Sequence, residues 1–495
     1  MNPSDPTGLY DPGLHLFADD AEVQDHPGFT RKVQRPTRAQ PEPVLRPEMP
    51  WEGKTVQIKG GYRYNGASDI FEMWYWTWSC TIDEMYAGAP TFLCYATSKD
   101  GISWERPELG EYEFEGSKKN NIVLATNGDP WGIMIDPLES DPARRFKLGL
   151  YYQPPGSPGA KDPAARRAFM HSVIDQYGMY VYSSPDGITW SFQDKLLVGG
   201  AGDAGSLIFD PLRRGYAATS RRYHNLADHF VLEWRNYRRV IAVTTSDDFS
   251  SWTPLQTVLK PDEFDEIGVQ LYQMVPFVYG NQYLGLLWVQ HPTELSAMEL
   301  ASAREIHAWE RVGKREEFFS VGAPGMWDMG WAALGLSPPA LKGDTLYMWY
   351  SGKPQGHGTQ GNFSSAIGLL KLRRDGFVAL RAGIGGGELM TEPIEVRGPH
   401  LAVNATVLFG SLRIRIIDGV EVAKGYSFAE CNGLVHDDSI RAEITWGAER
   451  RDLSPFIGRK VRLHIQTDNA TSLYSYRTSK SSARSAAQSG ATANS

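Results

Sequence analysis

Four acidic residues stand at or just before the start of apolar segments that predict short buried strands: Asp129, Asp203, Glu266 and Asp328. Two carboxyl groups on either side of a glycosidic bond can protonate the leaving oxygen and stabilise or attack the sugar carbon. Because these acids lie far apart in the chain, they can share such a task only if the fold returns each strand to one place.

Cationic side chains occur in two further segments. Arg221, Arg222 and His224 stand together in Ser220-Arg-Arg-Tyr-His, and His357 lies in a glycine-rich loop. Cations beside carboxyl groups lower the pKa of those groups and can hold an acidic or polyhydroxylated substrate. A structural salt bridge is an equally good interpretation of each arginine, whereas the loop position of His357 favours a pocket.

Composition excludes several classes of protein. The chain has 495 residues, with 58 acidic against 50 basic side chains and a net charge of −8, which argues against a nucleic-acid partner. Its 41% hydrophobic and 22% charged residues are ordinary for a globular protein of two to four domains. The sequence contains no run of 18 apolar residues that would predict a membrane span. Its first residues do not resemble a signal peptide, so we expect a cytoplasmic protein.

The sequence also gives little support for a metal or a cofactor. Three cysteines, Cys80, Cys94 and Cys431, are too few for a disulfide framework or an all-cysteine zinc site. No group of His, Asp and Glu has a metal-ligand spacing, and the phosphate-loop, dinucleotide and serine-hydrolase motifs are missing. We therefore expect no cofactor.

A turn motif recurs along the first 380 residues, and its repetition predicts the fold. The copies are Ser98-Lys-Asp-Gly-Ile-Ser-Trp104, Ser184-Pro-Asp-Gly-Ile-Thr-Trp190, Ser246-Asp-Asp-Phe-Ser-Ser-Trp252, Ala303-Arg-Glu-Ile-His-Ala-Trp309 and, more distantly, Leu372-Arg-Arg-Asp-Gly-Phe377. Strand-like segments precede each copy, so the unit has about four strands, and five units predict a five-bladed β-propeller. We expect the aspartates to cap turns and the tryptophans to pack between blades.

The pattern changes beyond the last copy. A run of glycines at 385–387 marks a linker, and strictly alternating strands such as Leu412-Arg-Ile-Arg-Ile-Ile417 predict an antiparallel β-sandwich. The predicted domains are a propeller over residues 1–382, a sandwich over 388–477 and a disordered Ser/Ala-rich tail over 478–495. A Pro/Gly/Ala-rich insertion at 153–167 should sit on one rim of the propeller. The sandwich more often supports a propeller or mediates homo-oligomer formation than binds a ligand.

Several short stretches resemble the furanosidase superfamily, which contains glycoside hydrolase families 32 and 43 and related bacterial proteins. They are Leu16-Phe-Ala-Asp-Asp20, Pro50-Trp51-Glu52, Met73-Trp-Tyr75, Tyr95-Ala-Thr-Ser-Lys-Asp-Gly101, Leu372-Arg-Arg-Asp-Gly-Phe377, Leu401-Ala-Val-Asn404 and Leu473-Tyr-Ser-Tyr476. The resemblance covers nearly the whole chain and implies carboxylates at the channel mouth, on the first strands of blades one, three and four.

Under that resemblance Asp203 takes the place of the blade-three aspartate that stabilises the transition state or tunes its partner. Glu266 is the candidate acid/base of blade four, with Gln270 or Tyr272 as alternatives at that position. The segment of blade one, 56–64, departs from the family because it has no carboxylate.

Two other blades can compensate for that missing acid. Asp129 opens the first strand of blade two and Asp328 opens that of blade five, where Trp327 is suited to stacking on a sugar. A turn aspartate and a backbone cap are their structural alternatives.

The sequence thus favours a glycosidase or transglycosylase acting on small furanosidic oligosaccharides or glycosides of fructosyl or arabinosyl type. A glycoside phosphorylase is the second possibility, because Arg221, Arg222 and His224 could hold phosphate. A non-catalytic carbohydrate-binding propeller is the third.

Overall fold

The computed structural model describes residues 5–81, 84–85, 88–126, 128–152, 178–225, 237–357 and 364–481. The chain begins with four short strands, β1 (Leu14–Leu16), β2 (Val23–Asp25), β3 (Phe29–Val33) and β4 (Thr37–Arg38). The expected insertion at 153–167 and most of the expected tail lie outside the described residues.

Five antiparallel sheets follow along the chain and form a ring, which confirms the predicted five-bladed propeller. Blade I contains β5 (Val56–Asn65), β6 (Ile70–Thr77), β7 (Thr91–Ser98) and β8 (Ile122–Thr126). Blade II contains β9 (Asp129–Ile135), β10 (Phe146–Tyr152), β11 (Gly178–Ser184) and β12 (Ser191–Gly199). Blade III contains β13 (Gly205–Asp210), β14 (Gly215–Asn225), β15 (Tyr237–Ser246) and β16 (Gln256–Leu259).

The last two blades each have an extra short strand. Blade IV contains β17 (Gln270–Tyr279), β18 (Gln282–Gln290), β19 (Ser296–Ala303), β20 (Trp309–Arg311) and β21 (Glu317–Ser320). Blade V contains β22 (Trp331–Leu334), β23 (Ala340–Lys342), β24 (Thr345–Lys353) and β25 (Ala366–Arg373). The outermost strand of blade V is β4, from the N-terminal segment, which pairs with β25 through Arg38 and Thr37.

The turn motifs have the structural role that the sequence predicts. In the first copy the Asp100 carboxylate accepts backbone N–H bonds from Ile102 and Ser103, both at 2.8 Å. Gly101 adopts φ +79°, and a Cβ there would lie 2.9 Å from the Trp349 ring. The Gly101 carbonyl accepts the indole N–H of Trp349, at 3.0 Å, so this turn of blade I is bound to blade V.

Other blades are joined by buried tyrosines. The hydroxyl of Tyr216 in blade III donates to Asp136 at the end of β9, at 2.9 Å. The hydroxyl of Tyr283 in blade IV donates to Asp210 at the end of β13, at 2.8 Å. Both aspartates therefore link neighbouring blades, and the first strands of those blades lie side by side around a central channel.

The C-terminal part of the chain forms a large antiparallel sheet that curls on itself and fits the expected sandwich-like domain. Its strands are β26 (Val378–Ala382), β27 (Gly387–Thr391), β28 (Ile394–Glu395), β29 (His400–Asp418), β30 (Glu421–Val422), β31 (Cys431–Asn432), β32 (Leu434–Trp446), β33 (Lys460–Thr467) and β34 (Thr471–Ser479). Alternate apolar residues of these strands form one separate core, shown by the burial of Leu401, Ile414, Trp446 and Ile465.

The boundary between the two parts differs from the one expected at residue 382. Strands β1, β2 and β3 pair with β34, β27 and β26, so residues 14–33 and 378–382 belong to the C-terminal sheet. Thr478 and Ser479, expected in the tail, belong to β34. The N-terminal segment therefore crosses from the sandwich to the propeller, where β4 closes the ring.

The described residues contain few helical turns. Short 3-10 turns cover Pro50–Glu52, Pro142–Arg144, Val312–Arg315 and Ser454–Phe456. In this part of the chain we find no helix that is both long and apolar enough to cross a membrane.

Candidate active site

Two acids lie at the channel mouth where the first strands of the blades begin, which we call the first mouth. Asp129 is the first residue of β9, and Asp203 precedes β13 by two residues, so the two carboxyl groups come from adjacent blades. Their charges interact, because the charge of Asp203 is one of the factors that raise the pKa of Asp129. The structure thus brings together two of the four acids expected from the sequence.

The pKa of Asp129 is raised above its ordinary value. Burial is the largest cause, and the neighbouring Asp203 charge adds to it, while Lys59 opposes both. The Lys59 ammonium lies 2.6 Å from Asp129 Oδ1 and 4.4 Å from the centre of the Trp76 ring. This carboxyl group is therefore the one that keeps its proton to higher pH.

The pKa of Asp203 moves in the opposite direction. Burial favours its neutral form, but the charges of Arg221, Lys59 and Arg239 together outweigh burial and lower the pKa. Arg221 makes a direct ion pair with Asp203 from the neighbouring strand β14. Adjacent carboxyl groups with divergent pKa values suit different tasks in one reaction, the first as an acid and the second as an anion.

Strand alternation decides which arginine enters the site. Arg221 is buried and faces Asp203, whereas Arg222, the next residue of β14, is exposed and donates to the Leu255 carbonyl at 3.3 Å. His224 lies near the end of the same strand, where its backbone pairs with Arg238, and its side chain is outside the described residues.

Tyr272 lies at the centre of an aromatic and cationic wall. Its ring stacks on Trp288 with a centroid distance of 4.1 Å. The guanidinium groups of Arg221 and Arg239 lie 4.4 and 4.8 Å from the same ring. Arg239 also donates to Gln270 Oε1 at 2.6 Å, so Gln270 and Tyr272 both support cations in this wall.

His357 completes the wall from the loop after β24. Its ring contacts Tyr272 and Trp288 at centroid distances of 4.8 and 5.5 Å. Burial and the nearby charges of Arg239, Lys353 and Arg221 lower its pKa to about 3, so the imidazole is neutral at ordinary pH. A neutral imidazole offers one donor and one acceptor to a substrate hydroxyl.

Lys353 lies beside His357 and is a further titratable group of this wall. Burial lowers its pKa to about 8, with a smaller opposing effect of Glu294. Its ammonium donates to the His357 carbonyl at 3.4 Å and lies 5.7 Å from the Trp331 ring centre.

Among the described residues, cations outnumber carboxyl groups at the first mouth. Lys59, Arg221 and Arg239 face Asp129 and Asp203, and the protonated form of Asp129 would leave one carboxylate among three cations. The Nε and Nη1 atoms of Arg221 and the Nε atom of Arg239 are buried and have no hydrogen-bond partner among the described residues. The described residues therefore leave part of this charge without a hydrogen-bond partner.

Asp328 and Trp327 lie elsewhere, against the face of blade V. The Asp328 carboxylate is fully buried and accepts hydrogen bonds from Arg38 at 2.8 Å and from the Tyr350 hydroxyl at 2.8 Å. The Trp327 ring stacks on Tyr350, and its indole N–H donates to the Pro41 carbonyl at 3.0 Å. These contacts bind both residues to β24 and to the N-terminal segment around β4, and none of them links Asp328 to Asp129 or Asp203.

Glu266 also stands apart from the paired acids. Its side chain is 60% exposed on the loop before β17, and its nearest ionic contact is His291, at 3.6 Å. Nothing in these contacts links Glu266 to Asp129 or Asp203.

Three cations of the site, Lys59, Arg239 and Lys353, were not predicted from the sequence. Lys59 precedes Gly60 and Gly61, and the pairing of β5 with β6 shifts register there, with Gly61 at φ +109°. Glycines inside a strand indicate such a bulge, which re-aims the side chains beside it. That signal was present in the sequence, whereas Arg239 had no local pattern to distinguish it.

The described residues provide no evident metal centre. In them, no group of three or more His, Cys, Asp or Glu side chains is arranged to hold a metal ion. The described residues of the first mouth offer two carboxyl groups, cations and aromatic rings.

Comparison with known proteins gives no family assignment. No protein-family model and no curated protein matches the chain. Among solved structures, a glycoside hydrolase is 10% identical over 72% of this chain and 94% of its own, with a TM-score of 0.44. A β-1,2-mannobiose phosphorylase from Listeria innocua is 12% identical over 69% of this chain and 97% of its own, with a TM-score of 0.41.

A third structure comes from work on the GH130 family of mannoside phosphorylases, which contains glycoside hydrolases that target β-1,2-mannosidic linkages in Candida mannan. It is 13% identical over 71% of this chain and 95% of its own, with a TM-score of 0.42. The assignment of the blades rests on the strand pairings of this chain itself.

Proposed function

We propose that the chain is an enzyme that cleaves or transfers glycosidic bonds at the first mouth of the propeller. The observation that carries the proposal is the pair Asp129 and Asp203, adjacent carboxyl groups whose pKa values are shifted in opposite directions. Asp129 holds a proton for the leaving oxygen, and Asp203 is an anion beside the sugar carbon. The substrate proposed from the sequence resemblance is a small furanosidic glycoside of fructosyl or arabinosyl type.

The surrounding wall supplies the binding interactions. Tyr272 offers a partly exposed aromatic ring backed by the buried Trp288, and His357 offers a neutral hydrogen-bonding ring beside it. Sugars present both apolar C–H faces and hydroxyl groups, so rings interleaved with donors and acceptors suit them. Lys59 keeps the Asp129 carboxyl group in place and limits the rise of its pKa.

Substitution of the two acids tests the proposal with a panel of glycosides. Asp129→Asn should lower turnover of alkyl glycosides and oligosaccharides by about 10²–10⁴-fold, because it removes general acid catalysis. The same variant should lose much less activity on nitrophenyl glycosides, whose leaving group departs without a proton. Asp203→Asn should reduce turnover of both kinds of substrate.

An exposed carboxyl group away from the pair provides a matched control. Glu266→Gln changes an exposed carboxyl group without known contact to the pair and should retain parental turnover. Equal activity of the parent and both Asp variants on every glycoside that the parent cleaves would overturn the assignment of these acids. Tight sugar binding with no turnover by the parent would instead support a non-catalytic binding propeller.

Phosphorolysis is the second candidate function, and one observation favours it. Among the described residues the first mouth has an excess of positive charge, and Arg221 and Arg239 are incompletely hydrogen-bonded, which suits a phosphate ion. In that case phosphate attacks the sugar carbon, Asp129 gives its proton to the leaving oxygen, and the product is a sugar phosphate. Phosphate-dependent release of a sugar phosphate separates this reaction from hydrolysis, which proceeds equally well in phosphate-free buffer.

A further inference from the structure

A cavity of about 480 Å³ lies at the opposite end of the central channel, which we call the far mouth. The ends of the first strands of blades I to IV line it, together with the turn after β22 and residues 5–8 of the N-terminal segment. The lining residues on which the argument depends are Arg63, Trp74, Phe146 and Arg374. Its volume lies within the range of small-molecule sites, roughly 300–1,000 Å³.

The walls of the far-mouth cavity are mostly apolar and aromatic, in contrast to the charged first mouth. Trp74 and Phe146 are buried at the junction of blades I and II, with ring centroids 6.3 Å apart. The Arg63 guanidinium lies 5.2 Å from the Phe146 ring centre and is paired with Glu72 at 2.5 Å. Flat rings with few polar groups suit a planar apolar ligand better than a sugar.

Arg374 is a cation of this lining whose pairing is weak, because its one ion pair, with Asp375, is long and its Nη1 donates to the Gly343 carbonyl at 3.4 Å. Its buried Nε atom has no hydrogen-bond partner among the described residues, and the Asp375 Oδ1 atom is 3.9 Å away. Asp375 itself accepts hydrogen bonds from the hydroxyl groups of Tyr279 and Ser475, at 2.7 and 3.2 Å. A partly buried guanidinium whose Nε has no hydrogen-bond partner among the described residues can still pair with an anionic group.

The carboxylate of Asp5 does not compensate Arg374. Asp5 belongs to the cavity lining, but its Oδ1 accepts from the backbone and hydroxyl of Thr7, at 2.9 and 2.7 Å. Its Oδ2 accepts from the backbone of Tyr10 at 2.7 Å. The carboxylate therefore fixes the N-terminal turn that forms one wall of the cavity.

We propose that the far-mouth cavity is a second binding site, distinct from the proposed catalytic site, for a small aromatic acid. The ring of the ligand packs among the aromatic side chains, and its anionic group pairs with Arg374. This site uses residues from all five blades at the end of the channel opposite Asp129 and Asp203, so its ligand does not have to be a substrate.

Two fluorescent probes of similar shape test the proposal with the full chain. Anilinonaphthalene sulfonate is an aromatic anion, and phenylnaphthylamine is its uncharged counterpart. Both should bind saturably at one site per chain. Arg374→Met keeps the apolar stem and should weaken binding of the anion by about tenfold, with little change for the neutral probe.

Three further variants locate the bound probe. Ala67 is exposed in the turn between β5 and β6 and lines the cavity, so Ala67→Trp should block it and abolish binding of both probes. Arg381→Met removes an exposed arginine that does not line the cavity and should leave both titrations unchanged. Asp129→Asn changes the first mouth only and should also leave them unchanged.

The outcomes separate this proposal from the catalytic one. Binding of both probes by Asp129→Asn, with loss of binding in Ala67→Trp, supports the far-mouth site whatever the enzyme assays show. The absence of saturable binding, or unchanged binding in Ala67→Trp, would overturn it. Equal affinity of Arg374→Met and the parent for the sulfonate would overturn the assignment of an acidic ligand, and Ala67→Trp remains decisive if Arg374→Met does not fold.

Discussion

Replacement of Lys59 by methionine should move the pH–activity profile to higher pH. The Lys59 ammonium is 2.6 Å from Asp129 Oδ1 and favours the ionised form of that carboxyl group. Without this charge the pKa of Asp129 rises further, so the proton needed for the leaving group persists to higher pH. The alkaline limb, on which the general acid loses its proton, should therefore shift upwards.

The size of the shift follows from the exposure of the pair. Two unit charges 4 Å apart interact by about 1 kcal/mol in water and about 4 kcal/mol at an effective dielectric constant of 20. The side chains of Lys59 and Asp129 are 30% and 26% exposed, so a value of about 1.5–3 kcal/mol is appropriate. This corresponds to an upward shift of roughly one to two pH units.

The acid limb should shift in the same direction but by less. Lys59 also lowers the pKa of Asp203, and Arg221 and Arg239 continue to do so in the variant. The active range should therefore become broader on its alkaline side. Because the two carboxyl groups interact, the limbs of the profile report apparent pKa values that belong to the pair and not to single residues.

The assay is kcat/KM against pH on an alkyl glycoside that the parent cleaves. Lys59→Arg keeps a positive charge and should restore a profile close to that of the parent, and Lys118→Met removes an exposed lysine as a matched control. An alkaline limb that stays in place in Lys59→Met, or moves to lower pH, would refute the assignment of Asp129 as the acid.

Three other variants test the roles given to residues outside the pair. Glu266→Gln should keep kcat/KM within about twofold of the parent, because an exposed substitution without a special contact has little effect; a large loss would place Glu266 in the reaction. Asp328→Asn should lower the free energy of unfolding in urea by about 2–4 kcal/mol with KM unchanged, because it breaks the buried pair with Arg38; a selective loss of turnover would contradict this. Trp349→Phe removes the indole donor to the Gly101 carbonyl and some buried volume. The free energy of unfolding in urea should therefore fall by about 1–3 kcal/mol. Unchanged stability would argue against this link between blades.

Local patterns were sufficient to predict the blades. The turn motifs depend on side chains that bond to their own backbone within three residues, as Asp100 does, and on a positive φ at Gly101. The alternating strands of the sandwich were equally visible, since one face of each is buried. Such features need no information from distant parts of the chain.

Closure of the ring could not be predicted in this way. The fifth blade takes its outer strand from Thr37–Arg38, which pairs with residues more than 300 positions later. A two-residue strand has no periodicity of its own, so its sequence does not reveal its partner. The same limit applies to β1, β2 and β3, whose places in the C-terminal sheet depend on partners near the other end of the chain.

The candidate site was partly accessible from the sequence. The acids at strand starts, Asp129 and Asp203, were recognisable because the strands of neighbouring blades begin at one mouth. Asp328 satisfies the same pattern, yet its carboxylate is bound by Arg38, 290 residues earlier in the chain. Position before a strand therefore does not distinguish an acid at the channel from one that is buried against a distant cation.

The difference between Asp129 and Asp203 arises from side chains rather than from the repeated backbone. Both acids stand near the start of the first strand of a blade, and identical surroundings would give them similar pKa values. Lys59 reaches Asp129 from the preceding blade, whereas Arg221 reaches Asp203 from the next strand of its own blade, with Arg239 nearby. A ring of similar blades can thus place two carboxyl groups side by side, but the cations around them decide which one stays protonated and which one is ionised. The proposed function therefore rests on this site and not on the fold.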